Sequence, residues 1–286
     1  MARAIERIER DIAGLKEAIS AIAVELQNAY ASYLATLGQA VRQQLILASY
    51  HLCTQGYPEN FLSLSLSQRQ QLQQVIRKLS QQAAEQLLAY INSEEDKGDE
   101  ADEEAGEAGE VVGAGEADES NSSFSPSTPL FSSPDLSNPI ELAEWQQNLE
   151  EATQEILKNL SHNANLLLQK AEILPKKLPE PILAAAAAAA SEASAEVMPG
   201  PPNLLNLVIE IENEQQSEDS SLTQIMAINL RLGEIEFADA TLSSERRHIR
   251  NILGQLNKLG REYQKRQREK SIAEAEAAWR ASWFED

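Results

Sequence analysis

A single cysteine, Cys53, occurs in 286 residues. That excludes an internal disulfide and makes a reducing compartment the natural setting. Aromatic residues make up only 5 % of the chain, which argues for less folded mass than the length alone suggests. Basic residues are outnumbered as well: 24 Lys and Arg face 45 Asp and Glu, for a formal net charge of −21. Such a chain is repelled by bulk nucleic acid and by anionic membranes unless a local patch reverses the sign. Long apolar runs are missing; the longest, around residues 183–190, is mostly alanine and far too short to span a bilayer. The first residues carry Arg3, Glu6, Arg7, Glu9 and Arg10, unlike the apolar core of a signal peptide. The expectation is a soluble, cytoplasmic protein without membrane insertion.

Residues that carry chemistry are equally sparse. The three histidines, His51, His162 and His248, fall on different segments. His51 and Cys53 stand two apart, so on a helix they point in different directions and make a poor metal pair. Gly106, Gly109, Gly113 and Gly115 lie in an acidic stretch with no strand before them or helix after them, so they form no phosphate loop. No catalytic, metal-binding or cofactor-binding residue is assigned, no cofactor is expected, and enzymatic activity is not expected.

What the chain does contain is helical periodicity. Ile5, Ile8, Ile12, Leu15, Ile19, Ile22, Leu26, Ala29 and Tyr33 recur at alternating steps of three and four, an apolar residue at almost every a and d position of four heptads. A helix with one narrow stripe cannot hide it alone. Ile5, Ile8, Ile12, Leu15, Ile19, Ile22 and Leu26 are therefore candidate oligomerisation residues, the other reading being an amphipathic helix packed within its own chain. Isoleucine at both seam positions leans away from a strict dimer, and Asp11 with Lys16 suits a parallel pairing. A homo-oligomer is expected.

Five regions follow from composition and pattern. Residues 1–92 read as an N-terminal coiled coil and helical hairpin: the first helix runs past Val41 and Leu45 until Gly56 and Pro58 stop it. Ser67-Gln68-Arg69-Gln70 reads as a capping box that opens a second helix. Residues 93–137 read as a disordered acidic and Ser-Pro linker, with thirteen acids and one lysine from Glu94 to Glu119. Residues 138–174 read as an amphipathic helix opened by Asn138-Pro139 and closed by Pro175, and residues 175–202 as a second, Pro/Ala-rich linker. Residues 203–286 read as a long C-terminal helix after a short apolar segment at 204–211 that is either strand or helix. Ser221-Leu222-Thr223-Gln224 looks like its capping box, and Asp239 and Arg246 interrupt its seam, suggesting a break near residues 240–244. The fold class is thus all-α and elongated, with helical segments separated by linkers.

Two features of the last helix mark candidate partner-binding residues. Arg246, Arg247, Arg250, Lys258, Arg261, Lys265, Arg266, Arg268 and Lys270 stand against only Glu262 and Glu269. Phosphate contact with nucleic acid, docking on an acidic protein surface, contact with the chain's own acidic segment, and a merely solvated face are all open for this run. Trp279, Trp283 and Phe284 cluster in the last eight residues; the tryptophans, four apart, share one helix face and suit a docking tail.

The stretch LSLSQRQQLQQVIRKL (residues 64–79) and the ending AEAEAAWRASWFED resemble helical proteins of cyanobacteria. The glutamines Gln68, Gln70, Gln71, Gln73, Gln74, Gln81, Gln82 and Gln86, together with Trp279 or Trp283 near terminal acids, are similar to features of McdB-type adaptors that position carboxysomes. That resemblance, covering about a quarter of the chain, implies partnership with a ParA-type ATPase, self-association, and cargo binding through the tryptophan end. The function expected is a non-enzymatic, self-associating adaptor or scaffold; the alternative is a nucleic-acid-binding protein acting through the basic helix.

Overall fold

The computed structural model describes residues 2–92, 135–175, 201–211 and 221–283. The two expected linkers fall outside these, apart from 135–137, 175 and 201–202, and so does Phe284. Among the described residues the protein is all-α save for one two-stranded hairpin.

Helix α1 spans Ala2–His51. It gives way to a π-helical turn, Leu52–Gly56, closed by the Tyr57 N–H donating to the Leu52 carbonyl. Pro58, unable to continue that helix, instead opens the short α2, Pro58–Ser63. Helix α3, Leu66–Asn92, begins with a capping box two residues earlier than expected. Ser65 Oγ accepts from the Gln68 N–H, and Gln68 Oε1 accepts from the Ser65 N–H. Helix α4, Pro139–Lys170, opens as its sequence indicates, with Asn138 Oδ1 accepting from the Ile140 N–H. It ends four residues short of Leu174, and a turn with Glu172 at φ 60° folds Ile173 and Leu174 into the core.

The apolar segment after residue 203 is strand β1, Leu204–Ile211, paired antiparallel with β2, Ser221–Ile228. The capping box expected at residues 221–224 is therefore strand. β-branched Val208, Ile209, Thr223, Ile225 and Ile228 favour extended backbone, and the pairing partner lies close in sequence. The outer edge of β2 is satisfied by side chains. Tyr57 Oη accepts from the Met226 N–H and donates to its carbonyl, and the Asn165 amide does the same at Ile228. At Met226 and Ile228 the edge is thereby closed to another strand. Buried Asn203, at φ 60°, ties the hairpin down further: its amide donates to Gln44 of α1 and accepts from the Arg231 N–H.

Helix α5, Leu232–Ala238, is separated from α6, Ala240–Ser282, by Asp239. Asp239 Oδ1 caps α6 by accepting from the Thr241 and Leu242 N–H groups; the break expected near residues 240–244 falls instead at Asp239, and 240–244 are helical.

Four helices pack up-down-up-down. Helix α3 folds back on α1 so closely that a Cβ at Gly38 would sit 3.0 Å from that of Ala84. Helix α4 lies against α3 and α6, and α6 runs antiparallel to α1. Pairs along that contact descend in register: Ser32 with Glu245, Glu25 with His248, Asp11 with Arg266, Glu9 with Lys270. Pro139, which starts α4, abuts Gly260. Beyond that level α1 and α6 continue as a two-helix arm.

This arrangement places the N-terminal stripe largely against its own chain, the second of the two readings open for it. Ile19 and Leu26 are 0 % exposed and Ile12 is buried, while Ile5, Ile8, Leu15 and Ile22 are half-buried. Much of their cover is α6 of the same chain, which brings Leu242, Ile249, Ile252 and Leu256 into the same core. A tethered helix meets the stripe at a far higher effective concentration than a second copy can. Asp11, expected with Lys16 to suit a parallel pairing, reaches Arg266 of the antiparallel α6 at 3.7 Å. Replacing Ile19 by Ala should cost about 2–5 kcal/mol in urea unfolding while leaving the mass in solution unchanged. A lower mass with unaltered stability would return the stripe to an intermolecular role.

Candidate interaction surface

The rotation of α6 about its axis is fixed by Arg246. At 9 % exposure it is buried, because an arginine in the helix seam must point inward. Its Nε donates to Glu236 Oε1 at 2.6 Å and its Nη2 to Tyr33 Oη at 2.7 Å, and its Nη1 and Nη2 both donate to the Glu150 carboxylate. The guanidinium also lies 4.4 Å from the centre of the Tyr33 ring. Tyr33 Oη donates to Glu236 and Tyr30 Oη to Glu150, and the Trp145 and Tyr30 rings meet at right angles, their centres 5.5 Å apart. One cation thus joins α1, α4, α5 and α6. Burial opposes its charge, but the bonds to Glu150 and the surrounding groups more than reverse that and hold it protonated.

Arg246 is accordingly core and not partner-binding surface. Two more of the nine expected basic contacts are turned toward α1. Arg266 pairs with Glu269 at 2.7 Å and reaches Asp11 at 3.7 Å, and Lys270 pairs with Glu9 at 2.9 Å. They hold the arm together, and both are biased toward the charged form, chiefly by their bonds to Glu269 and Glu9 respectively.

The remaining six cations, Arg247, Arg250, Lys258, Arg261, Lys265 and Arg268, are exposed. Their spacing places them within about 80° of one another around the helix. No ion pair engages any of them among the described residues. Gly254 extends the gap between Arg250 and Lys258, with nothing within 4 Å of where its Cβ would be. The same face continues through exposed Ile272 to Trp279 and Trp283, 67 % and 66 % exposed. Their ring centres are 5.8 Å apart at a tilt of 39°. The structure therefore unites the basic run and the tryptophans as one ridge along the outside of α6.

Sequence reading missed Tyr33, Glu150 and Glu236 as the partners of Arg246, missed Tyr30 as a partner of Glu150, and missed Ile272 as part of the ridge. The available signal was the charge at a seam position, which requires buried carboxylates somewhere in the chain. Among the described residues no cluster of ligands could hold a metal ion, and no helix is long and apolar enough to cross a membrane. Cys53 is buried, and burial pushes its thiol up to about 11. An open groove between α3 and α4 is lined by Gln82, Gln86, Asn159 and Asn163 over Ala83 and Leu160.

Replacing Arg246 by Ala would strand Glu150 and Glu236 in a largely dry site. The expected loss is about 3–5 kcal/mol in urea unfolding. The tyrosines add a pH dependence. Burial first, and then Glu150 beside Tyr30 and Glu236 beside Tyr33, hold both phenols above their ordinary range, although Arg246 works against this at Tyr33. The unfolded chain gives up these protons first, near pH 10. Stability should thus be complete below about pH 10 and fall as pH rises beyond it. Urea midpoints taken across that range should fall less steeply for Tyr30→Phe than for the parent chain. No family model matches the chain, and no curated protein or solved structure is similar to it, so the geometry of this ridge carries the functional reading.

Proposed function

We propose that the chain is a non-enzymatic adaptor whose helical bundle holds out the α1–α6 arm, so that Trp279 and Trp283 dock in an apolar pocket of a protein partner. The observation that carries this reading is the exposure of both indoles, side by side, at the end of the arm. Tryptophan is among the residues that dominate interface energies when it enters a pocket. Two such rings left in water by a chain with few aromatics are better explained by association than by its own packing. The six cations behind them, without ion-pair partners among the described residues, would steer an acidic partner and fix its register.

The McdB-type likeness gives this reading a finer form: a cytoplasmic adaptor that joins a ParA-type ATPase to a cargo such as the carboxysome. Its support is the tryptophan end together with the glutamines of α3, of which Gln70, Gln71, Gln73, Gln74, Gln81 and Gln82 are exposed. Self-association, where it occurs, would use surfaces other than the buried stripe. The nucleic-acid reading keeps one supporting observation, the placement of unpaired cations and aromatic rings on one face. It requires binding that weakens steeply with salt.

The test is capture with the intact chain as bait, comparing it with the Trp279→Ala, Trp283→Ala double variant. Proteins retained by the parent should be lost by the variant, with affinity for an identified partner reduced at least about 30-fold. Helicity and urea midpoint should not change, since both side chains lie in solvent. An identical retained set would remove the docking role. A ParA-type ATPase within the lost set would support the finer form.

A further inference from the structure

The six outward cations of α6 form a run without carboxylate partners among the described residues, in a chain where acids outnumber bases by nearly two to one. Like charges crowded along one helix face repel one another, and an acidic chain has ample means to neutralise them. The described helices leave them bare. The largest store of negative charge in the sequence, residues 94–119 with thirteen acids and one lysine, belongs to the connection between α3 and α4. We infer that the basic ridge of α6 is the docking site of this acidic segment of the same chain.

Three observations support the assignment. The first is charge complementarity: a net −12 segment and six cations that hold no ion-pair partner among the described residues. The second is where the connection returns. Pro139 approaches to 3.4 Å from the position of a Cβ at Gly260, between Lys258 and Arg261. Asp135, just before it, has its carboxyl held below the usual range, mainly by the Ser137 N–H and hydroxyl, with Lys16 of α1 contributing. The chain therefore re-enters the fold at the axial level of the ridge's midpoint but on the inner side of α6, about 120° around the helix from the cations, so the segment reaches the ridge by passing around α6.

The third is reach. Residues 93–134 can span on the order of 140 Å, whereas the ridge from Arg247 to Arg268 is about 32 Å long. Residues 120–134 alone bridge on the order of 50 Å, so the acidic stretch can lie along α6 on either side of Gly260. A tether of this length presents the segment at an effective concentration in the millimolar range. A free acidic protein or nucleic acid must compete with that. Trp279 and Trp283 lie more than ten residues beyond Arg268, so docking leaves them open. The inference accordingly does not rest on the tryptophan reading.

The contact is electrostatic and surface-exposed, so it weakens as added salt shortens the screening length. The experiment uses the full chain and a zero-length carbodiimide cross-linker at about 20 mM and about 500 mM salt, with cross-links mapped by mass spectrometry. At low salt, isopeptide bonds should join Lys258 and Lys265 to acids of residues 94–119, and they should fade at high salt. Mixing isotopically labelled and unlabelled protein shows whether each bond lies within one chain. Bonds only between chains would overturn the assignment in favour of a second copy. Bonds spread equally over Lys16, Lys78 and Lys158 would overturn it altogether.

A second measurement does not depend on lysine chemistry. A variant with the thirteen acids of residues 94–119 changed to Gln or Asn should bind a fluorescent 20-nucleotide oligo(dT) at low salt at least about 10-fold tighter than the parent chain. Adding Lys258→Gln, Arg261→Gln and Lys265→Gln to that variant should abolish the gain. Equal affinity of the neutralised and parent chains would show that the ridge is vacant in the free protein.

Discussion

Helix α1 is fifty residues long, about 75 Å, and carries apolar side chains along most of that length. Covering such a stripe is the constraint on which the rest of the structure depends. Helices α3 and α4 have 27 and 32 residues and can shield only its far part. Only α6, with 43 residues, is long enough to follow it toward the N-terminus, and it does so in the antiparallel direction that the connections allow. The arm arises from this mismatch, because the two longest helices outlast the two shorter ones. Burial declines along it, from Leu26 and Ile19 at 0 % through Ile12 to half-buried Ile8 and Ile5. Where apolar cover thins, the pairs Asp11–Arg266 and Glu9–Lys270 take over the alignment. These exposed pairs add little stability, and their contribution is register.

The same constraint explains which parts of the fold were legible in the sequence. Helix starts and stops were readable where a single residue has a strong local effect, as with Gly56 and Pro58 after α1 and Asn138 and Pro139 before α4, whereas Asp239 was read only as an interruption of the seam and not as the start of α6. The stripe itself was legible, but its partner was not. An amphipathic seam specifies that something apolar must cover it and leaves open whether the cover comes from the same chain. The β-hairpin was read wrongly in its second half, since Ser221 and Gln224 satisfy a capping pattern that pairing with β1 overrides. Of the candidate site, the tryptophans and the basic run were visible residue by residue. Their division into buried, arm-bound and free cations was not, because it depends on how α6 is rotated against α1 and α4.

That rotation is where Arg246 matters. Apolar packing alone tolerates some sliding and turning of one helix on another, since Leu and Ile side chains repack at modest cost. A buried guanidinium held by two carboxylates and a phenol tolerates neither, because each displacement strands a charge or a polar atom away from water. Its net contribution to stability is small beside the penalty of breaking it, so its effect is to exclude alternative arrangements. With Arg246 turned inward, Arg247 and Arg250 must point outward. The helical period then carries Lys258, Arg261, Lys265, Arg268, Ile272, Trp279 and Trp283 to the same side.

The ridge is therefore a consequence of the core, and its composition is informative for that reason. A solvent-facing strip on a strongly acidic protein would ordinarily mix both signs and avoid large aromatics. This strip instead concentrates unpaired positive charge over its middle and indole at its end, while the compensating acids lie in a connection that returns beside Gly260. Segregating charge this way does nothing for the bundle, whose cohesion comes from α1, α3, α4 and α6 burying apolar surface and from one ion cluster. On the two readings proposed above, the ridge is a contact surface. The chain's own acidic segment is the nearest candidate by concentration, and a pocket for two indoles is the nearest by shape. The two occupy different parts of the ridge. A partner that takes the tryptophans need not displace the segment, whereas one that also seeks the cations must, and its affinity will fall as that competition rises.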